Sequence, residues 1–224
     1  MEYFLNSEGS VVVRDIISEI RSNRDYLSEI DGAIGDGDHG INMNKGFSMA
    51  GERINESCSF SEAAKTLGNV LMMEIGGSMG PLYGTMFKRF FRETKDQERI
   101  TAEIVLKMLE SALDGVKEIG SAEVGDKTMI DTLAPAVSAM REATISHCSF
   151  RAALMKSLEA GREGRDSTKD MVARIGRSAR LGERSRGVLD AGAVSCCIIM
   201  ESMTNSIPAI LENDSLPSHK QGEN

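Results

Sequence analysis

The chain has 224 residues and a formal net charge of −8, with 34 acidic residues against 26 basic ones and no tryptophan. This balance lacks the broad positive surface with which nucleic-acid-binding proteins contact phosphates, so we expect small molecules or proteins as partners and no nucleic acid. No apolar run reaches the ~18 residues of a membrane span, and the N-terminus lacks the basic and apolar regions of a signal peptide. We therefore expect no membrane association and a cytoplasmic location.

Apolar residues recur at three- and four-residue steps along nearly the whole chain, which is typical of amphipathic helices. The first predicted helix has Ser10 as its N-cap and ends before Asp31. Pro81 suits the first turn of a later helix, where its missing N–H would have no intrahelical partner. Further helices are predicted at about 41–57, 60–74, 81–93, 101–119, 129–146, 149–164, 168–176 and 190–211. We predict an all-α protein with a single helical domain over residues 1–211 and a frayed polar tail over residues 212–224.

The junction after the first helix, "IDGAIGDGDHGINM" (residues 30–43), concentrates acidic residues and glycines. Asp31, Asp36 and Asp38 recur on a stretch that its glycines allow to curl, so their carboxylates can converge. Convergent oxygen ligands favour Mg²⁺ or Ca²⁺, but an EF-hand loop needs a glutamate where Asn42 stands. Mg²⁺ instead accepts one or two carboxylates together with substrate phosphates. The alternative is that these aspartates only form turns, as Asp-Gly pairs commonly do.

The charge of this junction predicts how many metal ions it would hold beside a nucleotide. Three carboxylates contribute about −3 and a bound ADP about −3, so a single divalent ion would leave about −4 and two would leave about −2. Two Mg²⁺ ions are therefore predicted. His39 and Asn42 follow at the start of the next helix, where free N–H groups and the positive end of the helix dipole favour phosphate oxygens.

Two further glycine-rich junctions carry weaker signals. "GGSMGPLYGT" (residues 76–85) would place a nest of backbone donors and the Ser78 hydroxyl at a helix N-terminus. It has no Walker A lysine, and tight helix packing through glycine explains it equally well. "GSAEVGDKTMIDTL" offers Thr128 or Asp126 as helix caps and Met129 as an apolar side chain at a helix start.

The segment "GRSARLGERSRGVLDAGA" (residues 176–193) is cationic in a protein that is acidic overall. It carries four arginines among glycines: Arg177, Arg180, Arg184 and Arg186. Such a loop can close over anionic phosphates, exclude water and stabilise charge during phosphoryl transfer. The alternative is a solvated basic loop that pairs with surface carboxylates and contributes little.

Four motifs together resemble, in this order, those of the L subunit of dihydroxyacetone kinases, the nucleotide-binding part of a two-part kinase: "GDGDHGINMNKGF", "GGSMGPLYGTMF", "GDKTMIDTLAPA" and "GRSARLGERSRGVLDAGA". The resemblance spans about residues 10–210. It implies an antiparallel eight-helix barrel whose nucleotide, ADP or ATP, lies at one end, with its phosphates held through two Mg²⁺ ions. It also implies roles for twelve residues. Asp31, Asp36 and Asp38 would be metal ligands, with His39 and Asn42 at the phosphates and Ser78 and Met79 in the glycine-rich cradle. Gly120 and Met129 would lie near the base, Arg177 in the arginine loop, and Asp190 and Gly192 at the end of that loop.

The resemblance also implies an incomplete enzyme. The ketose of these kinases binds to a separate K subunit, so this chain would phosphorylate dihydroxyacetone or a related short-chain ketose only with that partner, and Arg177 would be its catalytic arginine. Some members keep ADP bound and receive phosphate from an M subunit of the phosphotransferase system. In those members the arginine loop continues Gly-His-x-Asp-Pro-Gly, and the cradle reads Gly-Gly-Ala-Ser-Gly-Pro. Here residues 187–192 read GVLDAG and the cradle has Ser78 and Met79, which favours exchangeable ATP.

Two alternative functions are kept beside the kinase. The chain could be a nucleotide-loaded regulatory module that docks on a transcription regulator, as the resemblance also allows. It could instead be a helical bundle without a ligand, whose aspartates only cap turns. The partner that copurifies with the chain distinguishes the first alternative, and calorimetry with ADP and Mg²⁺ distinguishes the second.

Overall fold

The computed structural model describes residues 1–213, which fold into nine α-helices and three short strands. The helices are α1 Ser10–Ser22, α2 Arg24–Ile34, α3 His39–Gly51, α4 Phe60–Glu74, α5 Met79–Thr94, α6 Ala102–Gly120, α7 Ile130–Ile145, α8 Phe150–Ser167 and α9 Ala191–Ser206. The strands are β1 Glu2–Leu5, β2 Arg99–Thr101 and β3 Glu212–Asn213. Short 3-10 segments lie at Asn6–Glu8, Thr168–Asp170, Ser178–Ser185 and Ile207–Ala209. Within this range, none of the helices combines the length and apolar character that crossing a bilayer requires.

The first predicted helix is a kinked helix made of α1 and α2. Asn23, the residue between them, donates its N–H to the Glu19 carbonyl (3.1 Å) and accepts the Leu27 N–H (2.9 Å), so helical hydrogen bonding continues through the kink. The prediction that this helix ends before Asp31 is wrong. It continues to Ile34 because this side chain extends the buried stripe of α2.

The helices form a closed ring. Consecutive helices from α2 to α9 pack side by side, and α9 returns to pack against α1 and α2. With α1 and α2 counted as one kinked helix, the ring of the described residues has eight members, and the all-α, eight-helix prediction is confirmed. T-shaped pairs of Phe47 with Phe87 (5.8 Å between ring centroids) and of Phe87 with Phe90 (5.3 Å) fill the interior, so the barrel is a packed core.

Glycines bring α4 and α5 into close contact. A Cβ on Gly84 would lie 2.9 Å from the backbone of Met72, and a Cβ on Gly80 would overlap the carbonyl of Ile75. Tight helix packing is therefore the correct explanation for Gly80. Because α5 begins so close to the end of α4, the short connection at residues 76–78 is held at one end of the ring.

A three-stranded antiparallel sheet lies at the other end, and the sequence analysis missed it. β1 runs between β2 and β3, with Tyr3 opposite Thr101 on one side and Glu212 on the other. Strands of two to four residues are too short to show a two-residue alternation. Glu212 and Asn213, which were predicted to begin the polar tail, pair with β1 instead. The predicted tail beyond them, residues 214–224, lies outside the described residues.

The helix predicted at 168–176 is wrong. The chain makes one 3-10 turn at Thr168–Asp170 and then bends. The reason is tertiary, because the side chain of Lys127 donates to the carbonyls of Thr168 (2.7 Å) and Met171 (3.4 Å). Thr168 also accepts the N–H of Met171 (3.3 Å), which closes the single 3-10 turn. A local apolar pattern cannot reveal such a distant donor.

Predictions at helix starts are confirmed only in part. Gly9, rather than Ser10, occupies the N-cap of α1, and the Ser10 hydroxyl donates to the carbonyl of Glu56 (3.4 Å). Pro81 lies in the first turn of α5, as predicted.

Candidate functional site

A cavity of about 730 Å³ opens at the end of the ring away from the sheet. It lies between the C-terminal ends of α2 and α6 and the N-terminal ends of α3, α5, α7 and α9, so the four glycine-rich junctions meet around it. The twelve residues to which the motif resemblance gives roles all line this cavity: Asp31, Asp36, Asp38, His39, Asn42, Ser78, Met79, Gly120, Met129, Arg177, Asp190 and Gly192. The structure thus brings them together, while their individual roles stay predictions.

Three carboxylates converge on one side of the cavity. Asp31 lies in the last turn of α2, Asp38 directly precedes α3, and Asp36 lies between the two helices. One carboxylate oxygen from each lies within 4.8 Å of the other two. Gly35 leaves room for this arrangement, since a Cβ there would overlap the Asp31 carboxylate. A cluster of carboxylate oxygens of this size fits a hard divalent cation such as Mg²⁺.

The mutual repulsion of these carboxylates is unfavourable. Two unit charges 4.8 Å apart repel by about 0.9 kcal/mol in water and by about 3.5 kcal/mol at an effective dielectric constant of about 20. The side chains of Asp36 and Asp38 are 49% and 45% exposed, which places the repulsion near the lower value. The Arg177 guanidinium contacts Asp36 and lies 3.6 Å from Asp38, so one positive charge partly offsets three negative ones. The remaining net charge of about −2 favours the binding of cations.

The His39 ring is held by a pair of hydroxyl groups. Its Nε2 lies 2.9 Å from Ser195 Oγ, which lies 2.6 Å from the hydroxyl of Tyr83. Burial lowers the pKa of His39 to about 4 against the opposing effect of the Asp31 carboxylate, so the ring is neutral at pH 7. Because Ser195 occupies Nε2, Nδ1 is the ring nitrogen left for a ligand. Asn42 lines the cavity one helical turn later.

The start of α5 brings backbone groups to the cavity. Gly77 has a φ of +74°, a conformation that favours glycine, and a Cβ on Gly76 or Gly77 would meet nothing within 4 Å. Ser78 precedes the helix and Met79 is its first residue. The N–H groups of this first turn have no intrahelical acceptors, and they suit an anion.

Another part of the cavity wall is apolar. Leu82, Val116, Ile119 and Met129 line it between α5, α6 and α7. At Gly120, the last residue of α6, a Cβ would lie only 3.2 Å from the Leu82 side chain, so a larger residue would crowd this wall. A flat aromatic group of a ligand suits such a surface.

Asp131 stabilises the junction between α6 and α7. Its carboxylate accepts the N–H groups of Gly125 (2.6 Å) and Thr128 (2.7 Å). The Thr128 hydroxyl accepts the N–H of Ile130 (3.2 Å) at the start of α7, whereas the carboxylate of Asp126 bonds within its own loop. Met129, rather than Thr128 or Asp126, occupies the N-cap of α7, so neither predicted residue holds the capping position.

Asp190 and Gly192 connect α9 to the site. Asp190 caps α9 by accepting the N–H of Ala193 (2.7 Å). Burial raises the pKa of Asp190 to about 7, against the opposing effects of this hydrogen bond and of the Lys127 ammonium. A Cβ on Gly192 would lie 3.0 Å from the Asp190 carboxylate, so glycine leaves room for this carboxylate at the start of α9.

Of the four arginines in the basic segment, Arg177 lines the cavity. Arg186 instead pairs with Glu183 (3.1 Å). Arg180 and Arg184 lie outside the lining. The prediction of a basic loop at the site therefore holds for Arg177, and the alternative of a solvated basic loop describes the other three.

Sequence analysis missed three residues that hold this site together: Lys127, Tyr83 and Ser195. Lys127 lies inside the quoted GDKT motif, but a lysine in a loop is normally exposed, and this one is 1% exposed. Tyr83 and Ser195 are 112 residues apart, so only the fold shows that they touch.

Comparison with known families identifies the family to which these motifs belong. The DAK2 domain matches the chain over residues 33–205. The chain belongs to the DAK2 domain family. The match contains eleven of the twelve predicted site residues, and Asp31 lies two residues before its start.

Named relatives extend this DAK2 assignment over most of the chain. The ADP-binding subunit of PEP-dependent dihydroxyacetone kinase 1 of Listeria innocua is 37% identical over 193 residues, which cover 85% of this chain and 91% of the relative. The ADP-binding subunit of the Escherichia coli PEP-dependent dihydroxyacetone kinase is 38% identical over 183 residues, covering 80% of this chain and 86% of the relative. The family resemblance found in the motifs is thereby confirmed.

A solved structure matches the DAK2 fold. The dihydroxyacetone kinase of C. freundii, in complex with AMP-PNP and Mg²⁺, superposes with a TM-score of 0.66 at 20% sequence identity. The match covers 88% of this chain and 33% of that one, so this chain corresponds to about a third of that protein. This likeness shows that the closed helical ring is the fold of a known kinase segment.

Proposed function

We propose that this DAK2 chain is the nucleotide-binding subunit of a two-component kinase for dihydroxyacetone or a related short-chain ketose. The observation that carries the proposal is the meeting of three carboxylates, a helix N-terminus and Arg177 in one cavity of about 730 Å³. These groups are the ones that a magnesium nucleotide requires. The names of the two bacterial relatives, both ADP-binding subunits of dihydroxyacetone kinases, support the same conclusion.

The chemistry of the cavity wall supports one orientation of the proposed nucleotide. The base would lie on the apolar wall near Gly120 and Met129, because burial of a flat apolar group is favourable there. The phosphates would lie at the polar end, beside His39 and Asn42 and near the N–H groups around Ser78. Met79, Asp190 and Gly192 would complete the cradle between these ends.

The acidic cluster would hold two Mg²⁺ ions between the protein and the phosphates. Asp31, Asp36 and Asp38 provide oxygen ligands alone, which suits this hard cation. The count of two rests on charge, because three carboxylates and ADP together carry about −6 and two ions reduce this to about −2. Arg177 contacts Asp36, so it would leave this carboxylate when the cations bind.

In the proposed reaction, the bond between the terminal phosphoryl group and the nucleotide breaks and a new bond forms to a ketose hydroxyl, which loses its proton. Bound Mg²⁺ would supply charge neutralisation on the phosphate oxygens. Arg177 would move from the carboxylates to the transferring group and stabilise its charge. The ketose would be held on a separate K subunit, so the chain would transfer phosphate only in that complex.

The proposed site is compatible with two sources of the phosphoryl group. In one, ATP exchanges freely, as the loop sequence GVLDAG at residues 187–192 favours. In the other, ADP stays bound and is rephosphorylated by an M subunit of the phosphotransferase system, which the names of the two PEP-dependent relatives favour. Native mass spectrometry of the purified chain distinguishes them, because retained ADP supports the second form and an empty site that binds added ATP supports the first.

Isothermal calorimetry with ADP, with and without Mg²⁺, tests the proposal directly. We expect one nucleotide to bind per chain and the binding to require Mg²⁺. Absence of Mg²⁺-dependent binding would overturn the proposal and favour a helical bundle without a ligand. A pull-down then separates the two partners, since a ketose-binding K subunit supports the kinase and a transcription regulator alone supports the regulatory module.

A further inference from the structure

The ammonium group of Lys127 is buried beside the cavity. Lys127 is 1% exposed, and its φ of +63° is unusual for a residue other than glycine. Its Nζ donates to the carbonyls of Val188 (2.5 Å), Thr168 (2.7 Å) and Met171 (3.4 Å). The three N–H donors of the ammonium thus meet three backbone acceptors, and each of these acceptors lies on the segment that carries Arg177.

These three carbonyls lie at the two ends of one loop. We call residues 171–189 the arginine loop. We call the two segments at its base, 168–171 and 187–190, the neck of this loop. Within the neck, the Gly187 N–H donates to the Lys169 carbonyl (2.7 Å), and the Asp190 N–H donates to the Thr168 hydroxyl (3.1 Å). Lys127 is the residue from another junction that bonds to both ends of the neck.

A neutral apolar side chain could fill the same space but could not form these bonds. A buried ammonium is unfavourable unless it is fully hydrogen-bonded, and Lys127 meets this condition only when both ends of the neck are in place. Burial lowers the pKa of Lys127, against the opposing effect of the Asp190 carboxylate. Without the ammonium, the carbonyls of Val188 and Met171 would lose this donor, and the Thr168 carbonyl would keep only the N–H of Met171 (3.3 Å).

We propose that Lys127 is a positioning residue that holds the neck of the arginine loop together and so places Arg177 beside the three carboxylates. The guanidinium of Arg177 contacts Asp36 and approaches Asp38 because the loop leaves a fixed neck nearby. The effect of Lys127 on phosphoryl transfer rests on the proposed function, whereas its effect on the loop does not. Lys127 also lines the cavity, but its three N–H groups are taken by loop carbonyls, so its proposed role is through Arg177.

Hydrogen–deuterium exchange tests the loop in the ligand-free chain. Lys127→Met removes the three donors, and Lys169→Met is the matched control, since that lysine lies in the same neck with an exposed side chain. We expect amide exchange in the arginine loop to be at least about tenfold faster in Lys127→Met and unchanged in the control, with the ring helices unaffected in both. Loop exchange equal to that of the wild type would overturn the proposal.

Two additional variants keep this test decisive. Lys127→Arg retains the charge and the donors, so it should restore most of the wild-type protection of the loop. If Lys127→Met does not fold, Lys127→Gln, which retains two N–H donors, takes its place. Failure of both neutral variants to fold would overturn the proposal, because Lys127 would then support the whole ring rather than the loop.

A double-mutant comparison tests the route through Arg177. In the complex reconstituted with the ketose-binding partner, Lys127→Met should lower kcat at least about tenfold while changing the dissociation constant for ADP less than about threefold. In an Arg177→Ala background it should lower kcat no further. Independent, multiplicative losses would contradict positioning through Arg177. If the chain binds no magnesium nucleotide, the proposed function fails, but the exchange experiment still decides whether Lys127 holds the neck.

Discussion

Substitution of Asp36 by asparagine should remove Mg²⁺-dependent nucleotide binding and leave the fold intact. Asparagine has nearly the same size, but it replaces one of the three converging carboxylates with a neutral amide. A carboxylate attracts a divalent ion about 2.1 Å away by about 4 kcal/mol in water, before a replacing water offsets part of this. Because tenfold in affinity corresponds to about 1.4 kcal/mol, we expect binding to weaken at least about a hundredfold.

The ligand-free protein should barely change. Asp36 is half exposed, so the loss of its contact with Arg177 and the relief of repulsion from Asp31 and Asp38 are both screened by water. We expect the free energy of unfolding to change by less than about 1 kcal/mol. The helical circular dichroism spectrum should therefore match that of the wild type.

Thermal unfolding with ADP and Mg²⁺ measures this difference. At a ligand concentration of about 100 times the dissociation constant, binding stabilises the wild type by about 2.7 kcal/mol, or roughly 5–10 °C in Tm for a chain of this size. The same ligand concentration should shift Asp36→Asn by less than about 2 °C. Asp25→Asn, an exposed acidic position on the preceding helix α2, is the matched control and should shift as the wild type does. A wild-type shift in Asp36→Asn would remove Asp36 from the ligand set.

Three other substitutions test separate parts of the site. Arg177→Ala should slow single-turnover phosphoryl transfer in the reconstituted complex more than it weakens ADP binding. Arg180 lies outside the cavity lining, so Arg180→Ala should change neither quantity. Equal transfer rates in the two variants would count against a role for Arg177. Gly80→Ala should destabilise the fold by about 1–3 kcal/mol in urea unfolding, because the new Cβ would overlap the end of α4. A Cβ on Gly76 would meet nothing within 4 Å, so Gly76→Ala should be nearly neutral. Similar losses of stability in the two variants would contradict this packing. Burial raises the pKa of Asp190 from 3.8 to about 7. Between these pH values the folded chain keeps a proton that the unfolded chain has lost. The contribution of this group to the free energy of unfolding therefore falls as the pH rises through this range. Asp190→Asn should therefore gain stability relative to the wild type between pH 5 and pH 8 in urea unfolding, and a constant difference would refute the shift.

The helical part of the fold was largely predictable because its signal is local. Buried residues such as Ile16 and Ile20 in α1 repeat at helical spacing, and tertiary packing preserved these helices. One failure was caused by a distant partner. Thr168 and Met171 bond to Lys127, which ended the helix predicted at 168–176. The sheet at the other end escaped prediction because its strands are too short to carry a pattern.

The sequence by itself determined the ring of helices, the family and a set of site residues, because apolar spacing and motifs are written along the chain. Only the tertiary structure decided that those residues share one cavity and that one of the four arginines lines it. It alone showed that Tyr83 and Ser195 support His39 and that Lys127 is buried at the neck of the arginine loop. Such contacts depend on which helix ends meet when the ring closes, and no local pattern encodes that meeting.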